Sequence, residues 1–315
     1  MAVLIHWWVS GLKPTDWNPW VAIRGLQERR FHAPYQTTTT DPSMLFSDYT
    51  LAQRLEGADA AGAVECVQIL ARHHPEIGAA VQPIAGGYAV YAGPDSPITQ
   101  AIALGMQGPV TSADLDQLEH FFESRNAPLQ IELCPLADQS LVELLAAGPY
   151  RVVEFSNVLA HTISKQESFS LTNAAVQLRE VANAEVDLWA RIITRGFVDV
   201  SQPPQSFIDV AQASYHIATA TSFLATVDGQ PAGGGTVAVY DKVATLFGQS
   251  TLKQFRNRGV QTAVIGISLA VAVRSGCDLA MMCALPGSTS QRNAERHGFR
   301  VCYTRTKLEK TPDLT

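Results

Sequence analysis

Residues 255–264 read FRNRGVQTAV, two arginines flanking an asparagine, then a glycine, then the start of an apolar run that continues to about 276. The stretch before it, VATLFGQSTL (243–252), has strand composition, and LAMMCAL (279–285) reads as a buried strand beyond it. Arg256, Arg258 and Gly259 therefore fall at a strand-to-helix junction. The first N–H groups of a helix have no intrahelical partner and the helix dipole is positive there, so such a junction can grip an anion such as a pyrophosphate. Gly259 lets the backbone approach that anion, and the arginines add charge and forked donors. The competing reading is a basic loop with no ligand. The stretch has no Gly-Lys-Ser/Thr and no GxGxxG, so it is neither a P-loop nor a dinucleotide fingerprint.

Working outward, the second half of the chain alternates strands and helices. VQLREV (176–181) is a predicted strand, NAEVDLWARIITRGF (183–197) a helix with a cap signal at Asn183, and PQSFIDVAQASYHI a second helix. FLATVDGQPAGGGTVAVY (223–240) reads as a hairpin turning at Asp228-Gly229. STSQRNAERHG (288–298) is a short helix, and FRVCYTRTKL (299–308) is the last strand.

The first half reads similarly. One or two helices occupy SDYTLAQRLEGADAAGAVECVQILARHH, GGYAVYAG (86–93) is a strand, and SADLDQLEHFFESR (112–125) is a helix capped by Ser112. LQIEL (129–133), DQSLVELLAAG (138–148) and YRVVEFSNVLAH (150–161) follow as strand, helix and strand. AGGYAVYAG stands where GGGTVAVYD stands in the second half, and LLAAGPYRVVEFSNVLAH (144–161) aligns with AERHGFRVCYTRTKLEK (294–310). The predicted order is an internal duplication of about 120–140 residues per copy. The division is an arm at 1–40, a first domain at 41–163, a linker at 164–173 and a second domain at 174–310. The arm carries Trp7, Trp8, Trp17 and Trp20 and has no sustained period.

Composition limits the function. The chain has 315 residues, 46% hydrophobic and 17% charged, which supports two cored domains. A formal net charge of −6 argues against nucleic-acid binding through phosphates. Five cysteines without a CxxC or a Cys/His cluster indicate reduced thiols in a cytoplasmic protein with no metal; the His73-His74 pair lacks ligand partners. No apolar run approaches the ~18 residues of a membrane span, and the apolar start MAVLIHWWV lacks a basic leader region.

The order of strand, Arg-x-x-Gly loop, apolar helix, strand, short helix, His297-Gly298-Phe299 and strand resembles the GNAT N-acetyltransferase family over about residues 172–310. The whole chain resembles its bacterial subgroup of tandem GNAT-like domains. The fold this implies is α/β, with two domains, each a mixed, mostly antiparallel sheet flanked by helices. The resemblance implies acetyl-CoA as co-substrate and an amine of a small molecule or peptide as acceptor; monomer and homodimer both stay open. It places the pyrophosphate on Arg256, Asn257, Arg258, Gly259, Val260, Gln261 and Thr262, although Gln261 stands where the family has Gly or Ala. It places the pantetheine arm on Ser250, Thr251 and Leu252, with Ser290 and Asn293 beside it, and a backbone N–H near Leu252 on the thioester carbonyl.

The family often has a tyrosine acid four residues before the terminal Gly, but here that position is Ala294. Ser288 and Tyr303 are alternative acids, against the plainer roles of helix cap and core residue. Asp199, His216, Tyr240 and Asp241 are candidate bases, and 196–204 should cover the acceptor site. The first half has LGMQGPVTSAD (104–114) at the loop position, with Pro109, Asp114 and Asp116 and no arginine. It is expected to lack a cofactor site and to wall the acceptor pocket. Two readings stay open: an active N-acetyltransferase, and an inactive fold that binds coenzyme A or a protein partner.

Overall fold

A computed structural model describes residues 45–164 and 175–311. The arm at 1–40 and all but the first residue of the linker at 164–173 lie outside the described residues.

The chain enters through α1 (Tyr49–His73). Asp48 starts it by accepting from Leu51 N–H at 2.8 Å, and Arg72 and His73 close its last turn, where the dipole favours cations. It is one helix of 25 residues, so the option of two helices falls away. There follow β1 (Ala80–Ile84), β2 (Gly87–Tyr91), β3 (Gln100–Ile102), α2 (Ser112–Glu123), β4 (Gln130–Leu133), α3 (Gln139–Ala147) and β5 (Tyr150–Thr162). The second half contributes β6 (Val176–Glu180), α4 (Val186–Val198), α5 (Gln205–Tyr215), β7 (Ala220–Val227), β8 (Gln230–Tyr240) and β9 (Val243–Thr251). It ends with α6 (Val260–Arg274), β10 (Leu279–Ala284), α7 (Thr289–Arg296) and β11 (Arg300–Lys310). Asp228 and Gly229 both have positive φ, 52° and 74°, which gives the β7–β8 turn the twist a two-residue hairpin needs.

Two expectations shift locally. The cap of α2 is Thr111 and not Ser112, and α4 begins after a 3-10 turn at Asn183–Glu185. β1 and β3 have no counterpart in the sequence reading.

Among the described residues, eleven strands form one sheet in the order β1-β2-β3-β4-β11-β5-β10-β9-β8-β7-β6. Only β3/β4 and β9/β10 pair parallel, so the sheet is mixed and mostly antiparallel. The order is close to symmetric about the β11–β5 pair. The last strand of each half lies beside the other half's sheet: β5 pairs with β10, and β11 pairs with β4. The two halves thus exchange their final strands, and neither completes a sheet alone.

α1 seals the seam on one face. Its Leu55, Val67 and Leu70 pack in one core with Val90 and Ile102 of the first half and Ala238, Val243 and Met281 of the second. Each fully buried leucine contributes about 1.5–3 kcal/mol relative to exposure. The opposite face is covered half by half, with α2 and α3 over Ala101 and Ile131, and α6 and α7 over Val237, Ala280 and Met282. Among the described residues, no helix is long and apolar enough to cross a membrane.

Candidate active site

The opening stretch forms the N-terminus of α6. Gly259 takes φ +81°, a left-handed conformation that favours glycine, and no side chain caps the helix. Among the described residues, the N–H groups of Gly259, Val260, Gln261 and Thr262 find no protein acceptor. Val260, Val264, Ile265 and Leu269 are buried, so the helix that carries these donors is rigidly set in the core. The two arginines turn to neighbouring aspartates: Arg256 Nη1 donates to Asp199 at 3.3 Å and Arg258 Nη2 to Asp228 at 2.8 Å. These are exposed pairs in water, weak enough to yield to an anion.

Before the loop, β9 and β10 part company. Their ladder runs only from Leu279↔Val243 to Met281↔Thr245, after which β9 continues alone on that side to Thr251. A bulge marks the divergence. Gly248 (φ +61°) and Gln249 together oppose Gly235, which bends β9 and re-aims its end.

Leu252 N–H donates to Ala232 O at 2.9 Å. The donor expected near Leu252 is therefore not the Leu252 N–H itself, which is already used. The same bond fixes the alternation. Ala232 and Leu252 face each other through hydrogen bonds, so the neighbouring Gly233↔Thr251 pair is a non-bonded one, and the Thr251 main chain projects away from β8 into the opening.

Polar side-chain atoms at this strand end are buried and unpartnered: both amide atoms of Gln249, Ser250 Oγ and Thr251 Oγ1. Gly196 of α4 closes over Ser250, where a Cβ would come within 2.7 Å of its Oγ. Buried polar atoms without partners are costly and uncommon, so their clustering at the strand gap fits a ligand rich in amides and carbonyls. Together with the open N-terminus of α6, the residues present suit the arm and pyrophosphate of an acyl-CoA.

Ser290 and Asn293, expected near the arm, are held by the loop itself. Gln261 Nε2 donates to Ser290 Oγ at 3.4 Å, and Asn293 Nδ2 donates to Gln261 Oε1 at 2.6 Å. Gln261 therefore reaches across to α7. Ser288 accepts from Gln291 N–H at 3.1 Å as the cap of α7. Ala294 is fully buried against the core that contains Phe299.

Most of the other acid and base candidates are held by neighbours in the fold. Tyr303 is buried and donates to Glu56 Oε1 at 2.7 Å; desolvation pushes its phenol well above its ordinary range, so it is a poor proton donor to a thiolate. Asp199 caps α4 and faces Arg256 and Lys253. His216 stacks edge-on against His73 at 5.0 Å, and burial, then His73, lowers its pKa. Tyr240 donates to Glu65 at 2.9 Å. Asp241 sits in the β8–β9 turn (φ 42°), at the end of β9 remote from the opening. Tyr240 and the Ala218 N–H, two residues after His216, meet on Glu65, and the Tyr240 ring lies against Gly62 of α1, whereas Asp199 stands apart with Arg256.

A cavity of about 330 Å³ lies on the α1 side of β9. Thr245, Phe247 and Gly248 of β9 form one wall, Ile193 and Phe197 of α4 and Val210 of α5 another. The first half supplies the rest through Asp59, Gly62, Ala63 and Cys66 of α1 and through Pro97 and Ile98. Phe197 belongs to the segment 196–204 that was expected over the acceptor site. Asp59 escaped the sequence reading. It lies in α1, 246 residues from the Arg305 that donates to it at 2.7 Å, and no local pattern links the two.

The equivalent helix of the first half is closed. Thr111 Oγ1 accepts from Asp114 N–H at 3.2 Å while Asp114 Oδ2 accepts from Thr111 N–H at 2.9 Å, a complete capping box. Val110 N–H donates to Ser140 Oγ at 2.8 Å, and Pro109 has no N–H. A carboxylate already holds the site an anion would need. Among the described residues no group of His, Cys, Asp and Glu is placed to hold a metal, and all five cysteines are free.

No family model and no curated protein matches the sequence. Solved structures do match. A GCN5-related N-acetyltransferase from Kribbella flavida is 18% identical, with TM-score 0.58 over 83% of this chain and 96% of its own. A tandem GNAT protein from the clavulanic acid biosynthesis pathway is 13% identical, with TM-score 0.55 over 85% and 98%. A GCN5-related N-acetyltransferase from Sphaerobacter thermophilus is 14% identical, with TM-score 0.51 over 67% and 71%. At these identities the likeness is one of fold: the chain has the GNAT fold in its tandem form.

Proposed function

We propose that this protein is an acetyl-CoA-dependent N-acetyltransferase with one working site per chain, in the second half, acting on an amine of a small molecule or peptide by direct attack in a ternary complex. The observation that carries the reading is the contrast between two equivalent helix N-termini. Asp114 seals that of α2, whereas that of α6 keeps its N–H donors open beneath Gly259 and beside the unpartnered atoms of Gln249, Ser250 and Thr251. The bound thioester would supply an activated acyl carbon. The ammonium first gives a proton to water, and the neutral amine forms its C–N bond as the C–S bond breaks. The second amine proton leaves to water, and the thiolate departs with coenzyme A. Gly259, Val260, Gln261 and Thr262 would receive the pyrophosphate through main-chain N–H groups. Arg256, Asn257 and Arg258 frame it. The Thr251 main chain and the Gln249, Ser250 and Thr251 side chains would hold the arm, with Ser290 and Asn293 bracing the loop through Gln261. We place the protein in the cytoplasm.

A second reading, a fold that binds coenzyme A without turnover, is favoured by one observation: buried Ala294 stands where a family tyrosine would protonate the thiolate. A thiol-release assay with acetyl-CoA and a panel of amines separates the two. Amine-dependent release that is lost in Gly259→Glu, with the thermal melt retained, supports transfer. Binding without release in any amine supports the second reading.

A further inference from the structure

The cavity beside β9 has a chemical character that selects its occupant. Its walls are apolar: Ile193, Phe197, Phe207, Val210, Ile217 and Phe247. The hydroxyls that reach it are already committed. Thr194 donates to Ala190 O at 2.7 Å, Ser214 to Ala211 O at 2.7 Å and Thr245 to Ala238 O at 3.2 Å. The Cys66 thiol donates to Val210 O at 3.7 Å, and burial raises it to about 12, so it stays neutral.

Among the described residues, Asp59 is the one carboxylate on this wall. Its Oδ2 accepts from Arg305 at 2.7 Å, and among the described residues nothing donates to Oδ1. Arg305 is shared, since it also donates to Glu56 at 2.8 Å and to Glu132 at 3.0 Å. Three carboxylates thus converge on one guanidinium, with Lys307 3.5 Å from Glu132. Asp59 is the open member of this cluster, with its side chain 41% exposed against 2% for Glu56 and 12% for Glu132. The cluster keeps room for a cation there.

Asp59 shares its cavity with the end of β9 that parts from β10, through Phe247 and Gly248. Thr245, another cavity residue, is the last β9 residue laddered to β10. Cys283, two residues beyond its partner Met281 and on the same face of β10, is 3.7 Å from Arg305 Nη1. The guanidinium therefore links the freed part of β10 to Asp59.

We infer that the acceptor is a primary amine on a single apolar body, aryl or branched alkyl, with the body in the cavity and the ammonium on Asp59 Oδ1. This rests on the transferase reading of the same site. A flexible polycation would fit poorly, because its further ammonium groups would lose water against phenylalanine and isoleucine walls that offer no partner. The first half then contributes the amine-binding carboxylate to the site of the second.

The test is a calorimetric titration of the full chain, in the presence of coenzyme A, with 2-phenylethylamine and with spermidine. The expected result is that 2-phenylethylamine binds at least about tenfold tighter, and that Asp59→Asn weakens it by about 2–5-fold, the loss of an ion pair to a carboxylate whose side chain is 41% exposed. Ala63→Leu, which fills the cavity and leaves Asp59 intact, should weaken it as well. Equal or preferred binding of spermidine, or 2-phenylethylamine binding that neither variant changes, overturns the inference. A parallel titration with acetyl-CoA keeps the failures apart. Amine binding without acetyl-CoA binding would sink the transferase reading and leave the pocket assignment standing. Acetyl-CoA binding without selective amine binding would do the reverse.

Discussion

Arg305 donates to Glu56, Asp59 and Glu132 from a side chain only 4% exposed. Burial pushes the Glu56 carboxyl above its usual range, and the guanidinium and the Tyr303 hydroxyl pull it back. Removing the cation leaves buried carboxylates without their partner. Arg305→Met should therefore cost about 3–5 kcal/mol in urea denaturation, as breaking a buried ion pair does. A loss below about 1 kcal/mol, the range of an exposed pair, would show that water reaches the cluster. None of this was legible in the sequence, because Arg305 stands 249 residues from Glu56 and each reads as an ordinary charge in an amphipathic element. Gly259 was legible, because its meaning is local: a glycine after a strand and before an apolar helix. Leu252 misled for a related reason. Sequence placed it at the right strand end but could not show that its N–H is spent on Ala232.

At the scale of elements, the duplicated helix N-termini differ by one device. Thr111→Ala should open the capping box of α2 and cost about 1 kcal/mol in stability, yet leave acetyl-CoA affinity unchanged by calorimetry. A marked fall in affinity would mean that the first half takes part in cofactor binding. The helices were readable from period and caps, to within a residue or two at most ends. β1 and β3 were not, since β1 is five residues with Pro83 inside it and β3 is three residues long. The proline interrupts β1, and three residues leave β3 no alternation to detect. The bulge at Gly248–Gln249 had one local signal, a glycine inside a strand, but its place opposite Gly235 depends on pairing across the sheet.

At the scale of the molecule, the repeated order of elements was visible in the sequence, but the exchange of final strands was not. Which edge a strand joins depends on pairing across the chain, and β5 and β11 pair over the register Tyr150↔Lys310 to Ala160↔Arg300. The exchange makes the halves interdependent. Residues 45–164 and 175–311 expressed separately should each present an unpaired strand edge and aggregate or fail to fold, whereas co-expression should restore a soluble complex. A folded, monomeric half on its own, seen by near-UV circular dichroism and sedimentation, would contradict the exchanged topology.

The most direct test of the account is the stoichiometry of acetyl-CoA binding to the full chain by calorimetry, with Gly259→Glu alongside. The account predicts one site per chain for the wild type and none for the variant, whose carboxylate would stand against the pyrophosphate as Asp114 does in the first half. Two sites per chain, or unchanged affinity in Gly259→Glu, would contradict it.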